Sequence, residues 1–152
     1  MSWSRAELAG ASQGPCHRFE VLFQHVDAAG IVFFGRMFEY FHDAYVATLA
    51  DAGHPLPDVL AEKRWLAPLV HAEADYLSPL RFGDTVDARV VRALVKGSKL
   101  VVGYRVSVGD RVAAVGHTVH IFCDMDTLER VDMPSDLAAY FRALGAPEAA
   151  QP

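Results

Sequence analysis

Asp27 is the first residue whose type and setting suggest chemistry. It lies in the run FQHVDAAGIVFFGRMFEYFHDAYVATLAD, Phe23 to Asp51, ahead of a long helical pattern. The gap to that helix is too wide for a simple N-cap, although a turn aspartate holding a local N–H is the plainer reading on spacing alone. Its neighbours Val26, Ala28, Ala29, Gly30, Ile31 and Val32 are small or apolar. A carboxylate in such a pocket is expected to be poorly solvated, with a raised pKa, which suits a nucleophile or a general base. Gly30 and Gly35 free the backbone to bring N–H groups close to a ligand, unless they merely shape the turn. The helix start adds unpaired donors and the positive end of a dipole. An acid beside donors for a developing oxyanion is the arrangement that acyl transfer needs.

Other polar clusters have simpler explanations. His71, Glu73 and Asp75 alternate along a strand pattern and read as an ordinary polar sheet face, with no metal expected. His117 and His120 fall on opposite faces of a later strand and do not chelate together. Cys16 and Cys123 fit no metal spacing and read as free, buried thiols.

The bulk properties narrow the class. The chain has 152 residues, 52% of them hydrophobic, which is ample for one domain with a real core. A net charge of −5 without a Lys/Arg block argues against a nucleic-acid partner. The first ten residues contain Arg5 and Glu7 and no apolar run, so no signal peptide is expected. No apolar stretch approaches the roughly 18 residues of a membrane span, so no membrane partner is expected and a cytoplasmic setting is. Residues 1–15 and 146–152 read as flexible ends around a domain at 16–145.

The elements that must position Asp27 follow from periodicity. His17 to Gln24 alternates as a strand, and the helix begins after Gly35, with Phe38, Phe41, Tyr45, Thr48, Leu49 and Ala52 on its apolar face. Gly53, His54 and Pro55 stop it. A connector with one short helix near Val59 to Lys63 leads to four strand patterns, LVHAEADYL, TVDARVVRALV, KLVVGYRVSV and RVAAVGHTVHIFCDM. The last three, joined by tight turns, form an antiparallel meander. Pro134 to Leu144 closes the domain as a helix. The fold class is α+β, with five antiparallel strands wrapped around one long helix. The far face of that sheet also carries apolar residues and is expected to mediate an oligomer.

The stretch VDAAGIVFFGRMFEYFHDAY, with APLVHAEADYLSPLRFGDTV and the meander, resembles the hotdog-fold acyl-CoA thioesterases of the 4-hydroxybenzoyl-CoA type over about residues 17 to 143. The segment LAPLVHAEADYLSPLRFGD looks most like the 1,4-dihydroxy-2-naphthoyl-CoA thioesterase branch. The resemblance implies hydrolysis of an aryl acyl-CoA thioester to free acid and CoA, without a metal or organic cofactor. It makes Asp27 the catalytic carboxylate, Phe34 and Gly35 the backbone donors to the thioester carbonyl, and Gly30 the shaper of the turn. It places Lys96, Ser98 and Lys99 where relatives grip the CoA phosphates. It also implies an active site between the subunits of a homodimer, often within a homotetramer.

Two residues depart from the family pattern. His25 stands where many relatives have an acid and, on a strand end, would face the same side as Asp27. Arg36 stands where relatives often have Asn, and is a candidate contact for substrate or phosphate. Glu39 is a rival carboxylate, because a second hotdog group uses a helical Glu, and His42 is a candidate for lining the acyl pocket. A hotdog dehydratase or hydratase and a non-catalytic acyl-thioester binding module remain as alternatives.

Overall fold

Burial alternates along much of Thr85–Lys96 and is nearly continuous along the two strands that follow, so both faces of the sheet are covered there. The computed structural model describes residues 3–145. In chain order these form α1 (Arg5–Gly10), β1 (Cys16–Glu20), a 3-10 turn (Phe23–His25), α2 (Arg36–Asp51), α3 (Leu56–Ala61), β2 (Leu69–Tyr76), β3 (Thr85–Lys96), β4 (Lys99–Val108), β5 (Arg111–Ile121) and α4 (Ser135–Gly145). The strands make one sheet of order β1-β3-β4-β5-β2, with every neighbouring pair antiparallel. The β3-β4-β5 meander is as expected. Among the described residues, β2 is an edge strand that pairs only with β5.

α2 lies along the inner face. Its buried residues are Met37, Tyr40, Phe41, Ala44, Tyr45, Thr48 and Leu49, a continuous i, i+3, i+4 stripe. The stripe is turned by about one residue from the expected face, so Phe38 and Ala52 are only partly covered. Phe41 stacks on Tyr104 of β4 with ring centroids 4.7 Å apart. The close approach requires Gly116 on β5, because a Cβ there would lie 2.6 Å from the Phe41 ring and 2.2 Å from the Glu73 carbonyl. α4 packs Leu137 and Phe141 into the same core.

Two expectations change. The N-terminal segment expected to be loose carries α1, started by a Ser4–Glu7 capping box. Its Leu8, followed by Ala11, covers Val91 and Val115 on the outer face of the sheet. Part of the apolar surface expected to recruit another subunit is therefore covered by the chain itself. The expected first strand is shorter, ending at Glu20, and its last residues curl into the 3-10 turn. Cys16 is exposed rather than buried, Cys123 is buried, and both are free thiols. The expected tail at 146–152 lies outside the described residues. Among the described residues, no helix is long and apolar enough to cross a membrane.

Candidate active site

Asp27 opens a tight turn between the 3-10 segment and α2. Val26 and Val32 bridge the base of the turn. Within it, the Asp27 N–H donates to the Ile31 carbonyl and the Gly30 N–H donates to the Asp27 carbonyl, each at 3.0 Å. Gly30 has φ +79°, a left-handed conformation that a side chain would strain. Asp27 Oδ1 accepts the Ala29 N–H at 2.8 Å. The carboxylate is therefore oriented by its own turn and holds a local N–H, as the plainer reading expects, in a residue that is exposed. One chain does not supply the apolar enclosure expected around it, since Asp27, Ala28, Ala29 and Gly30 are all exposed.

The start of α2 faces the same loop. The Phe33 N–H is taken by the His25 carbonyl at 2.9 Å, which straps the two segments together. Arg36 and Met37 N–H groups return to Phe33 and Phe34 carbonyls. The Phe34 and Gly35 N–H groups find no backbone or side-chain acceptor among the described residues. They are the open donors at the positive end of a 16-residue helix. The Tyr76 hydroxyl, at the end of β2, donates to the Phe34 carbonyl at 2.6 Å. That carbonyl shares its peptide plane with the Gly35 N–H, so Tyr76 fixes the direction in which the donor points. The sequence reading missed Tyr76, because its partner is 42 positions away.

The auxiliary candidates are mostly committed elsewhere. His25 sits in the 3-10 turn rather than on a strand end. Its Nδ1 lies 2.9 Å from the Tyr40 hydroxyl, so it turns toward the core and does not share a strand face with Asp27. Arg36 clasps both Glu39 oxygens at 3.0 and 3.1 Å and donates to the Gln24 carbonyl at 3.2 Å. It braces the loop against α2, and the same clasp occupies Glu39.

Lys96, Ser98 and Lys99 form the β3–β4 hairpin, far from Asp27. The Asp27 loop adjoins the start of β3, where Glu20 pairs with Thr85. The hairpin lies at the other end of this 12-residue strand, a span of ~36 Å at a rise of ~3.3 Å per residue. A single chain does not bring the two together.

Behind α2 lies a cavity of about 340 Å³, within the ~300–1,000 Å³ of small-ligand pockets. Its lining includes Phe38, His42, Tyr45, Trp65, Ala72 and His120. His42 stands at the wall of this cavity. His120 is held neutral, its pKa pushed down to about 4, mainly by burial. A neutral ring with Nδ1 3.2 Å from the Ala67 carbonyl must donate there, leaving Nε2 to accept from Thr118 Oγ1 at 3.0 Å. The Tyr104 hydroxyl, 2.7 Å from Thr118, completes the relay as its donor. Tyr45 stacks on His120 at 4.3 Å. Its hydroxyl and Trp65 Nε1 are buried with no partner among the described residues. A cavity with a mainly apolar, aromatic lining suits a flat ring.

The chain is similar to known proteins along most of its length. Residues 21–141 match the model of the thioesterase-like superfamily. A 1,4-dihydroxy-2-naphthoyl-CoA hydrolase from Synechococcus elongatus is 30% identical over 118 residues, 77% of this chain and 87% of the relative. One from Thermosynechococcus vestitus is 30% identical over 132 residues, 86% of this chain and 88% of the relative. Among solved structures, a gentisyl-coenzyme A thioesterase superposes with a TM-score of 0.74 at 26% identity, covering 84% of this chain and 98% of that one. A 1,4-dihydroxy-2-naphthoyl-CoA thioesterase from Synechocystis, at 21% identity and a TM-score of 0.77, covers 87% of this chain and 98% of its own and supports the fold.

Proposed function

Because this chain belongs to the thioesterase-like superfamily, we propose that it hydrolyses an aryl acyl-CoA thioester to the free acid and CoA. The observation that carries the reading is the exposed Asp27 carboxylate, oriented by the Ala29 N–H, in the turn that leads to the Phe34 and Gly35 N–H groups, which have no acceptor among the described residues. The thioester carbonyl oxygen accepts from these amides, and the helix dipole favours the charge that develops there. Asp27 then attacks the carbonyl carbon, giving a mixed anhydride that water cleaves, or removes a proton from an attacking water. Either route breaks the C–S bond, and CoA leaves as the thiol. The chemistry uses no metal and no organic cofactor; coenzyme A is part of the substrate.

The cavity behind α2 receives the aryl acyl group against the rings of Phe38, Tyr45 and Trp65. Relatives named for dihydroxynaphthoyl and gentisyl thioesters carry acyl groups of this kind. The active unit is a homodimer, two of which form a homotetramer. The free edge of β2 supports the dimer, with Leu69 and Val70 exposed at 55% and 59% and Tyr76 at 49%. Antiparallel pairing of two such edges would turn each chain's Lys96–Lys99 hairpin toward the Asp27 end of the other. That arrangement supplies both the enclosure Asp27 lacks in one chain and the phosphate contacts assigned to Lys96, Ser98 and Lys99. Free CoA esters fit a cytoplasmic setting. Thiol release, scanned over dihydroxynaphthoyl-, hydroxybenzoyl-, short-chain and long-chain acyl-CoAs, is expected to favour the aryl esters. CoA-ester binding in calorimetry without thiol release would support a binding module instead, and turnover of enoyl or 3-hydroxyacyl esters a hydratase.

A further inference from the structure

On the outer face of the sheet, away from α2, three potential metal ligands converge. His71 and Glu73 are two apart on β2 and project to the same side. Glu73 lies directly opposite His117 on β5. His71 Nε2 is 3.3 Å from Glu73 Oε2, and His117 Nδ1 is 3.2 Å from Glu73 Oε1. One ligand atom from each of the three residues lies within 4.8 Å of the others. The two rings are near-parallel, with centroids 5.2 Å apart. The sequence reading treated His71 and Glu73 as a polar sheet face and His117 as unrelated. Strand register brings the third residue in, and register is not visible in local spacing.

We propose that His71, Glu73 and His117 form a divalent transition-metal site of the zinc type, which clamps the edge strand β2 to β5. Zinc binds imidazole nitrogen and carboxylate oxygen at ~2.0–2.2 Å, so tetrahedral ligand atoms stand ~3.3 Å from one another. The two His–Glu separations, 3.3 and 3.2 Å, reach different oxygens of Glu73, so the carboxylate would bind the metal through both oxygens, and the ligand atoms, all within 4.8 Å of one another, would draw in to that spacing on binding. The His117 side chain is 8% exposed and forms the floor, while His71 and Glu73 are about half exposed and leave a side open for a water ligand. Burial lowers the His117 pKa, which favours the neutral imidazole that a metal requires. Neighbouring Asp75 is engaged by Arg5 of α1 at 3.0 Å, so the ligand set is confined to the three residues. Two imidazoles and one carboxylate suit zinc, cobalt or nickel better than magnesium or calcium, which prefer all-oxygen sites. The site lies outside the proposed reaction and does not depend on it.

Calorimetric titration of the full chain with zinc chloride, with cobalt absorption as a second readout, tests the site. One metal per chain and a tetrahedral cobalt spectrum are expected, with a rise in melting temperature on zinc addition. His71→Ala and Glu73→Gln, both at exposed side chains, should weaken binding by more than the ~10–100-fold that outer-shell changes cost. Thioester turnover by these variants should stay near wild type if the chain is a thioesterase. Binding undiminished in His71→Ala, binding abolished by Cys16→Ser instead, or no saturable binding would each overturn the assignment.

Discussion

The Asp27 turn and the cavity behind α2 sit at opposite extremes of solvation. At the turn, the carboxylate and the Phe34 ring are exposed, and two helix-start amides have no acceptor among the described residues. In the cavity, His120 is neutral, and a relay from Tyr104 through Thr118 satisfies it. An exposed carboxylate is open to an incoming substrate. Burial without charge lets a pocket hold an aromatic ring without competing for the reaction. Under the proposed function the difference would separate the work, with the turn carrying the chemistry and the cavity the choice of acyl group.

The largest effect that would sharpen this contrast is on stability. The folded chain disfavours the protonated His120, whereas the unfolded chain takes up the proton at the ordinary value near 6.5. Stability from this group is therefore full above pH ~6.5 and is lost as pH falls toward about 4, by about 3 kcal/mol. His117, also depressed by burial, adds to the same slope. Melting curves between pH 7 and pH 4.5 should show a clearly shallower fall for His120→Gln than for the wild type; an unchanged slope would mean that the imidazole is not held neutral.

Narrowing the cavity should act on specificity alone. Ala72→Leu places bulk against the acyl group, and kcat/KM for a dihydroxynaphthoyl ester is expected to drop ~10–100-fold. Turnover of a short-chain ester should change less than about twofold. Equal losses for both esters would erase the division between the two regions. A smaller effect is expected from Tyr76→Phe, which frees the Phe34 carbonyl at the edge of the turn. Tyr76 acts as a positioning residue, so kcat should fall by about 3- to 10-fold with KM unchanged. A rise in KM at constant kcat would instead mean that Tyr76 binds substrate.

Much of this architecture can be read from the chain itself. The bounds of α2 and β4 follow from periodicity and stop signals, because local pattern dominates where an amphipathic face is long. α1 escapes such a reading because only a six-residue helix is involved, and packing on the outer sheet stabilises it. Asp27, Gly30 and the helix-start donors are legible because they are contiguous. Tyr76 and the His71–Glu73–His117 cluster are not, since β2 reaches them through pairing with β5 and folding over α2. The placement of His25 turned on the chain leaving the sheet after Glu20, where the Asp84 carbonyl takes the Val21 N–H and the next residues coil. The distance of Lys96, Ser98 and Lys99 from Asp27 is likewise a matter of topology.

The central claim is that Asp27 carries the reaction, and thiol release by Asp27→Asn tests it most directly, with Glu39→Gln alongside. Asn keeps the size of the side chain and can still accept the Ala29 N–H, so the melting temperature should stay close to wild type. Turnover of an aryl acyl-CoA by Asp27→Asn is expected to fall at least ~100-fold, while Glu39→Gln, which loosens only an exposed pair with Arg36, stays within about twofold. A folded Asp27→Asn protein that hydrolyses the ester at nearly the wild-type rate, with Glu39→Gln inactive, would contradict the account and move the carboxylate to the helix.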